Sequence, residues 1–423
     1  MNDWKFFQNF PPSSGLTPMK ITISSPDGLG DFILRIPMLR ALEQAGHSLQ
    51  IFLRRPALDL AADSFPEAQL HEIEADPYHP DTRREKRPFR ESQRAMKAFA
   101  PDMYVGAAFS GSFFDEVWLE QKNRPGRVIG FVADHGSGGV ASKSADPQDV
   151  HVPISLPELE KNRLLASAIL GQEMAPRNPT LKPTLAALDL AGSFLAEHGL
   201  KAGSFWIACV GSRYGLRMKD WGEENWAQLF STINDGTPVV FFGNTKESES
   251  IDRIRASLAQ KTINTAQAPL PMPLVLALLA QSRGYVGRDS GIMHMAAASG
   301  RRVFALFGGG HWGRFLPSGA GVVVTARVPC RGCDFVCPHE RVHCIRDVSL
   351  PFAVEAWKAF LQESQELIVR EESLAPELLE RLRAKSSAHL IAEQERMSRE
   401  QRIGRQTWLL RMKTFFLSRI RPA

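Results

Sequence analysis

Pro26-Asp27-Gly28-Leu29-Gly30-Asp31 is the stretch on which the fold turns. It follows the apolar run Ile21-Thr22-Ile23-Ser24. It opens a segment, Asp31 to Ala45, in which Phe32, Ile36, Leu39 and Leu42 recur near helical spacing. Small residues between a strand and a helix leave the first N–H groups of the helix unpaired, beside the positive end of its dipole. That setting suits an anion such as phosphate. A second stretch of the same kind, roughly 260 residues later, is Gly287-Arg288-Asp289-Ser290-Gly291-Ile292-Met293-His294-Met295-Ala296-Ala297-Ala298. Two such turns point to a cleft enzyme with a charged, phosphorylated ligand.

Working outward, short apolar runs alternate with helical patterns. Leu49 to Leu53 and Met103 to Gly106 read as further strands of the first half. Residues 76–94 and 133–149 read as long exposed loops. A Pro-containing stretch, Ala175 to Pro183, marks the domain boundary. A second series then begins, with strands at Trp206–Val210, Val239–Phe242, Gly284–Gly287 and Val303–Phe307, and a helix containing Trp226 to Ile233. Such alternation predicts parallel sheets with helices on both faces, as two doubly wound, Rossmann-like halves facing one cleft. The expected units are an extension over 1–18, domains over 19–178 and 179–350, and a wholly helical, basic extension over 351–423.

The length of 423 residues fits two domains plus an appendage. The 43% hydrophobic and 23% charged content is that of a soluble globular protein. No run of eighteen apolar residues predicts a membrane span. Met1 to Pro18 lacks the basic start and apolar centre of a signal peptide, so a cytoplasmic location is expected. Residues 370–423 hold 12 Lys/Arg against 7 Asp/Glu, and the remainder holds 39 of each. The tail thus carries the whole net charge of +5, which argues against a nucleic-acid-binding body. Within Arg402 to Arg421 there are six Lys/Arg and no acid, with Leu409, Met412, Phe416 and Ile420 on one helical face. This stretch suits either an anionic membrane surface or the protein's own body.

Several candidates admit two readings. Asp31 is either a helix-capping carboxylate or a general base at the cleft. The segment Gly211-Ser212-Arg213-Tyr214-Gly215-Leu216-Arg217-Met218-Lys219 is either a solvated loop or a set of cations for a diphosphate. Glu247, after Gly243, favours a helix dipole or holds ribose hydroxyls. His294 is a packed core residue or lies at the site. Cys330, Cys333, Cys337 and Cys344 are either a structural zinc or iron knuckle, or four reduced thiols or a local disulfide formed on oxidation.

Together these motifs resemble glycosyltransferase family 9, the ADP-heptose:lipopolysaccharide heptosyltransferases, over roughly residues 19–350. The matching elements are Leu29-Gly30-Asp31, Gly211-Ser212 with Lys219-Asp220-Trp221, Gly243 to Glu247, Asp289 to Ala297, and Ala305-Leu306-Phe307-Gly308. The resemblance implies a GT-B fold, with the acceptor on the first domain near Gly28 and Gly30 and the ADP-sugar on the second. It implies Asp31 as base and Lys219 as the cation facing the leaving diphosphate. Donor contacts would come from Gly211, Ser212, Arg213, Gly243, Glu247, Asp289, Ser290, Gly291, Ile292 and His294. The implied reaction is an inverting heptosyl transfer to a lipopolysaccharide core, with no cofactor required, at the inner face of the inner membrane. Alternatives are a protein-directed heptosyltransferase with a metal-binding cysteine cluster, a nucleotide-sugar epimerase, and a non-catalytic nucleotide-sugar-binding protein. Ser25 stands where many members have a basic residue, and Phe307-Gly308-Gly309-Gly310 replaces the usual Phe-Gly-Pro-Thr turn.

Overall fold

The computed structural model describes residues 17–74, 76–78, 86–109, 112, 114–115, 125–133, 149–211, 217–310, 312–333, 337–362 and 364–386. The first half runs β1 (Lys20–Ser25), α1 (Leu29–Gln44), β2 (Ser48–Leu53), α2 (Ala57–Ser64), β3 (Gln69–Glu72), α3 (Lys86–Phe99), β4 (Met103–Gly106), β5 (Arg127–Ala133), β6 (Val150–Val152) and α4 (Glu158–Leu170). The second runs α5 (Leu185–Glu197), β7 (Trp206–Cys209), α6 (Glu223–Thr232), β8 (Val239–Phe241), α7 (Ser248–Arg255), β9 (Thr262–Asn264), α8 (Met272–Ala280), β10 (Gly284–Arg288), α9 (Gly291–Ala298), β11 (Val303–Leu306), β12 (Gly321–Arg327), α10 (His343–Arg346), α11 (Leu350–Leu361) and β13 (Leu367–Ser373).

The strands form two parallel sheets, β3-β2-β1-β4-β5-β6 and β13-β12-β11-β10-β7-β8-β9. Both have the doubly wound order, reversing direction between β1 and β4 and between β7 and β10. Central strands are buried on both faces, so they read as continuous apolar runs rather than alternating ones. This is the expected GT-B architecture of two Rossmann-like units. In such sheets ligands bind beyond the carboxyl ends of strands at the reversal. Here those ends are Ser25 and Arg288, each leading into one of the two glycine-bearing turns.

Helix α1 is buried almost all round, because the second domain covers part of the surface that a lone domain would leave wet. One apolar cluster runs from Ile21 and Ile23 of β1 through Phe32 of α1 and Met293 of α9 to Tyr285 of β10. A second fills the other face of the second sheet. There Trp221 is fully buried, stands edge-on to Trp226 at 5.0 Å between ring centres, and donates its indole N–H to the Val348 carbonyl at 2.8 Å. The Lys219-Asp220-Trp221 segment is thereby tied to the core.

Two expectations are corrected. Residues 76–94 are not one exposed loop, because α3 starts at Lys86. Its buried side chains, Ser92, Met96 and Phe99, recur at helical spacing within a highly charged sequence. Nor is the chain wholly helical beyond Pro351. After α11 it adds strand β13, in parallel register with β12, before turning helical again over 376–386. The backbone polar groups along β12 require a partner, and β13 supplies it although its sequence, LIVREES, is half polar. Residues 1–16, 134–148 and the basic stretch 402–421 lie outside the described residues.

A methyl group on Gly308 would lie 1.8 Å from the Met218 carbonyl oxygen. Gly308→Ala therefore forces β11 and the 217–219 turn apart, and about 1–3 kcal/mol of unfolding free energy is expected to be lost. Urea denaturation checks this, and a midpoint equal to that of the parent would contradict the packing described.

Candidate active site at the domain seam

The amino ends of α1 and α9 meet directly. A methyl group built on Gly30 would stand 2.9 Å from the His294 ring and 3.6 Å from the Gly291 Cα. One built on Gly291 would stand 2.8 Å from the Leu29 Cβ and 3.1 Å from the Gly30 nitrogen. Only residues without a Cβ allow this approach. The two glycine turns read from the sequence are thus two sides of one seam.

On the first-domain side, Gly28 is the N-cap of α1, and Asp31 occupies the first turn, half-buried. Burial, then Asp27, then Glu158 push its carboxyl up to about 7, against the pull of Arg35 and Arg314. Arg35 is fully buried and fixes this corner. It donates to Asp27 Oδ2 at 2.9 Å, to the Ala107 carbonyl at 2.6 Å, to Asn162 Oδ1 at 3.3 Å, and to the Ser25 hydroxyl. The Tyr78 hydroxyl donates to the other oxygen of Asp27.

On the second-domain side, Ser290 caps α9, accepting from the Met293 N–H at 3.2 Å. The N–H groups of Gly291 and Ile292 meet no acceptor among the described residues, as the first turn of a helix requires. Lys219 Nζ is paired with Asp289 Oδ2 at 2.8 Å. His294 is buried, and desolvation drags its imidazole down to about 4, so it is neutral at pH 7. Its Nδ1 is buried with no hydrogen-bond partner among the described residues.

A third group gathers at the ends of β7, β8 and β10. Gly211 and Gly243 pack against Glu247, where added methyl groups would meet its side chain at 2.7 and 3.2 Å. Glu247 accepts from the Asn244 N–H at 3.0 Å and from the Asn244 side-chain amide at 2.8 Å, closing a capping box. Its other oxygen is ion-paired with Arg288. Both oxygens are thus engaged in holding the turn. Ser212 and Arg213 lie outside the described residues.

Cys330, Cys333 and Cys337 lie between β12 and α10, and Cys344 lies in α10. Among the described residues no three His, Cys, Asp or Glu side chains are grouped as ligands would be. Among the described residues none of the four is joined in a disulfide. Burial pushes the Cys344 thiol up to about 12, with Cys330, Cys333 and Cys337 adding to the effect, and burial also raises Cys330.

Sequence reasoning missed the charged cluster behind Asp31. Glu158 of α4 binds Lys161 at 3.3 Å and Arg314 of the second domain at 2.7 Å. The pair Glu158 and Lys161 has the spacing of an ordinary surface pair on a helix. The apolar residues around it, Leu164, Leu165 and Ile169, were the available hint of burial. Nothing in the sequence pointed to Arg314.

The profile of glycosyltransferase family 9 (heptosyltransferase) matches residues 117–333. Lipopolysaccharide heptosyltransferase 2 of Salmonella typhimurium is 34% identical over 104 residues, which is 24% of this chain and 30% of that protein. The match thus spans under a third of the curated relative. Among solved structures, a family 9 glycosyltransferase from Veillonella parvula superposes with a TM-score of 0.67 at 16% identity, covering 84% of this chain and 100% of its own. ADP-heptose lipopolysaccharide heptosyltransferase II of Escherichia coli gives 0.60 at 20% identity, covering 81% and 99%. Both are likenesses of fold.

Two measurements test this geometry. Unfolded histidine takes up a proton below pH 6.5, whereas buried His294 does so only near pH 4. Acidification through that window therefore weakens the fold, by on the order of 3 kcal/mol at full effect. His294→Leu should flatten this part of the stability profile, and an unchanged profile would contradict the buried neutral ring. Glu247→Gln should keep the cap and much of the stability. Glu247→Ala, which leaves Arg288 without its partner, should cost about 1–3 kcal/mol in denaturant melts.

Proposed function

Because the chain belongs to glycosyltransferase family 9, we propose that it transfers heptose, or a related sugar, from an ADP-linked donor to a saccharide acceptor of a lipopolysaccharide core. The observation that carries the reading is the seam itself. A carboxylate with a raised proton affinity stands in the first turn of α1, next in sequence to Gly30, which packs on Gly291 at the head of α9.

In this reading Asp31 takes the proton of the acceptor hydroxyl as its oxygen attacks the anomeric carbon. A carboxylate titrating near neutrality is a stronger base than an ordinary aspartate and is still largely ionised slightly above pH 7. The bond from the anomeric carbon to the diphosphate breaks with its electron pair, and ADP leaves. A single displacement inverts the anomeric centre. The charge developing on the leaving group is met by the N–H groups of Gly291 and Ile292 and by Lys219. Lys219 is already paired with Asp289, so the diphosphate shares a cation whose position is fixed in advance. Glu247, spent on its cap and on Arg288, would serve the donor mainly by shaping the turn that faces the nucleoside. Relatives named lipopolysaccharide heptosyltransferase support the choice of donor and acceptor class.

Purified protein with ADP-heptose and truncated lipopolysaccharide should release ADP and add one heptose to the acceptor. Asp31→Asn should lower turnover by roughly 10²- to 10⁴-fold. Since the base must be deprotonated, kcat/KM should rise with pH through about 7. Full turnover by Asp31→Asn would sink the assignment. The same reading sets the enzyme at the inner face of the inner membrane, with residues 402–421 as its surface contact. Deleting 402–423 should abolish binding to anionic liposomes, and unaltered binding would refute that placement.

A further inference from the structure

Arg314 lies in the loop between β11 and β12, yet it is only 7% exposed because the first domain covers it. Glu158 grips it twice. The guanidinium donates to the Glu158 carboxylate at 2.7 Å, and the Glu158 backbone N–H donates to the Arg314 carbonyl at 2.8 Å. The guanidinium also lies 5.0 Å from the ring centre of Phe109, in the first domain, and 4.9 Å from that of Phe315. Phe315 in turn stands edge-on to His294, which packs on Gly30. A continuous line of contacts thus runs from Arg314 to the turn that carries Asp31.

The charges of this pocket balance in a particular way. Its cations are Arg35 from α1, Lys161 from α4 and Arg314 from the second domain. Its anions are Asp27 from the β1–α1 loop, Glu158 from α4 and Asp31 itself. The other titratable groups facing it are Tyr78, on Asp27, and neutral His294. Asp115 lies farther off, hydrogen-bonded to Tyr104 and Ser112. Asp27 is neutralised by Arg35, and Glu158 is shared by two cations. One positive charge is left over, and Asp31 is its counter-charge. A buried cation without a counter-charge is costly, so the ionised form of Asp31 is favoured where Arg314 is present.

We propose that Arg314 is a positioning residue: clasped by Glu158 across the seam, it carries the second domain's positive charge into the pocket of Asp31, so that Asp31 is poised as a base only when the two domains are joined. Arg314 touches no reacting atom in this scheme and acts through Asp31. Burial drives the Asp31 carboxyl up, and Arg314 is one of the two cations that oppose this. The consequence for catalysis rests on the reading of Asp31 as the base, whereas the charge assignment does not.

The test is a pH titration of the full chain labelled at the aspartate side-chain carboxyl carbon, followed by NMR, with Asp31→Asn identifying the resonance. In Arg314→Gln the Asp31 midpoint should move upward by roughly 1 pH unit, while Arg314→Lys should recover most of the parent value. Glu158→Gln, which removes a negative charge but can still accept from Arg314, should move it downward. If Arg314→Gln does not fold, Arg314→Met, which keeps the length of the side chain and its packing on Phe109 and Phe315 without the charge, decides the matter. The acidic limb of kcat/KM should follow the NMR midpoint in each variant, with ADP affinity unchanged by calorimetry. An Asp31 midpoint indifferent to loss of the Arg314 charge would overturn the role of Arg314. Midpoints that move while the kinetic limb stays fixed would uphold Arg314 and remove Asp31 from the role of base.

Discussion

The structure depends on one contact in which two helices touch through glycines. Leu29 and Gly30 at the head of α1 meet Gly291 and His294 at the head of α9. Everything proposed for the site follows from this approach. It sets the turn that carries Asp31 against the head of α9. It makes the apolar core continuous across the seam. It also points two positive helix ends at one place, an arrangement that favours an anion between them. A side chain at either glycine would separate the domains by more than the contact tolerates.

Beside that dry contact lies a charged one. Buried ion pairs of the kind formed by Glu158, Lys161 and Arg314 seldom add net stability, since desolvation consumes much of the attraction. Their value here is geometric and electrostatic. Burial works against the Glu158 carboxylate, but Arg314 and Lys161 outweigh it and hold it below its usual range. Lys161 is pulled down to about 8 by burial, in spite of Glu158. The pocket therefore contains groups close to their titration points at neutral pH, as sites that move protons commonly do.

What could be read from the chain beforehand was whatever is local. The strand–glycine–helix turns at 25–31 and 287–291 lie within a few residues, so their meaning survives without neighbours. Capping by Ser290 and by Asn244 with Glu247 belongs to the same class. Family motifs extended that reach to Lys219 and Asp289, although their direct pairing came only from the structure. Helix α3 was hidden because its charges outnumber a narrow apolar stripe. Strand β13 was hidden because an edge strand carries polar residues that a central one does not. The partnership of Glu158 and Arg314 joins positions 156 residues apart, and no spacing rule reaches that far.

Strand β13 has a role beyond completing a sheet. Its neighbour β12, Gly321–Arg327, is buried at all but its last residue, with three valines in succession. Uncovered, it would be a flat, apolar row of open hydrogen-bonding groups, the template on which foreign strands add and chains aggregate. β13 takes the outer position and carries Arg370, Glu371 and Glu372, of which Glu371 is ion-paired with Arg331 and Glu372 accepts from Ser349. A charged edge is a poor surface for a second copy to extend. The segment 367–373 thus works as a selvedge, and a chain trimmed at residue 366 would trade a finished sheet for an adhesive one.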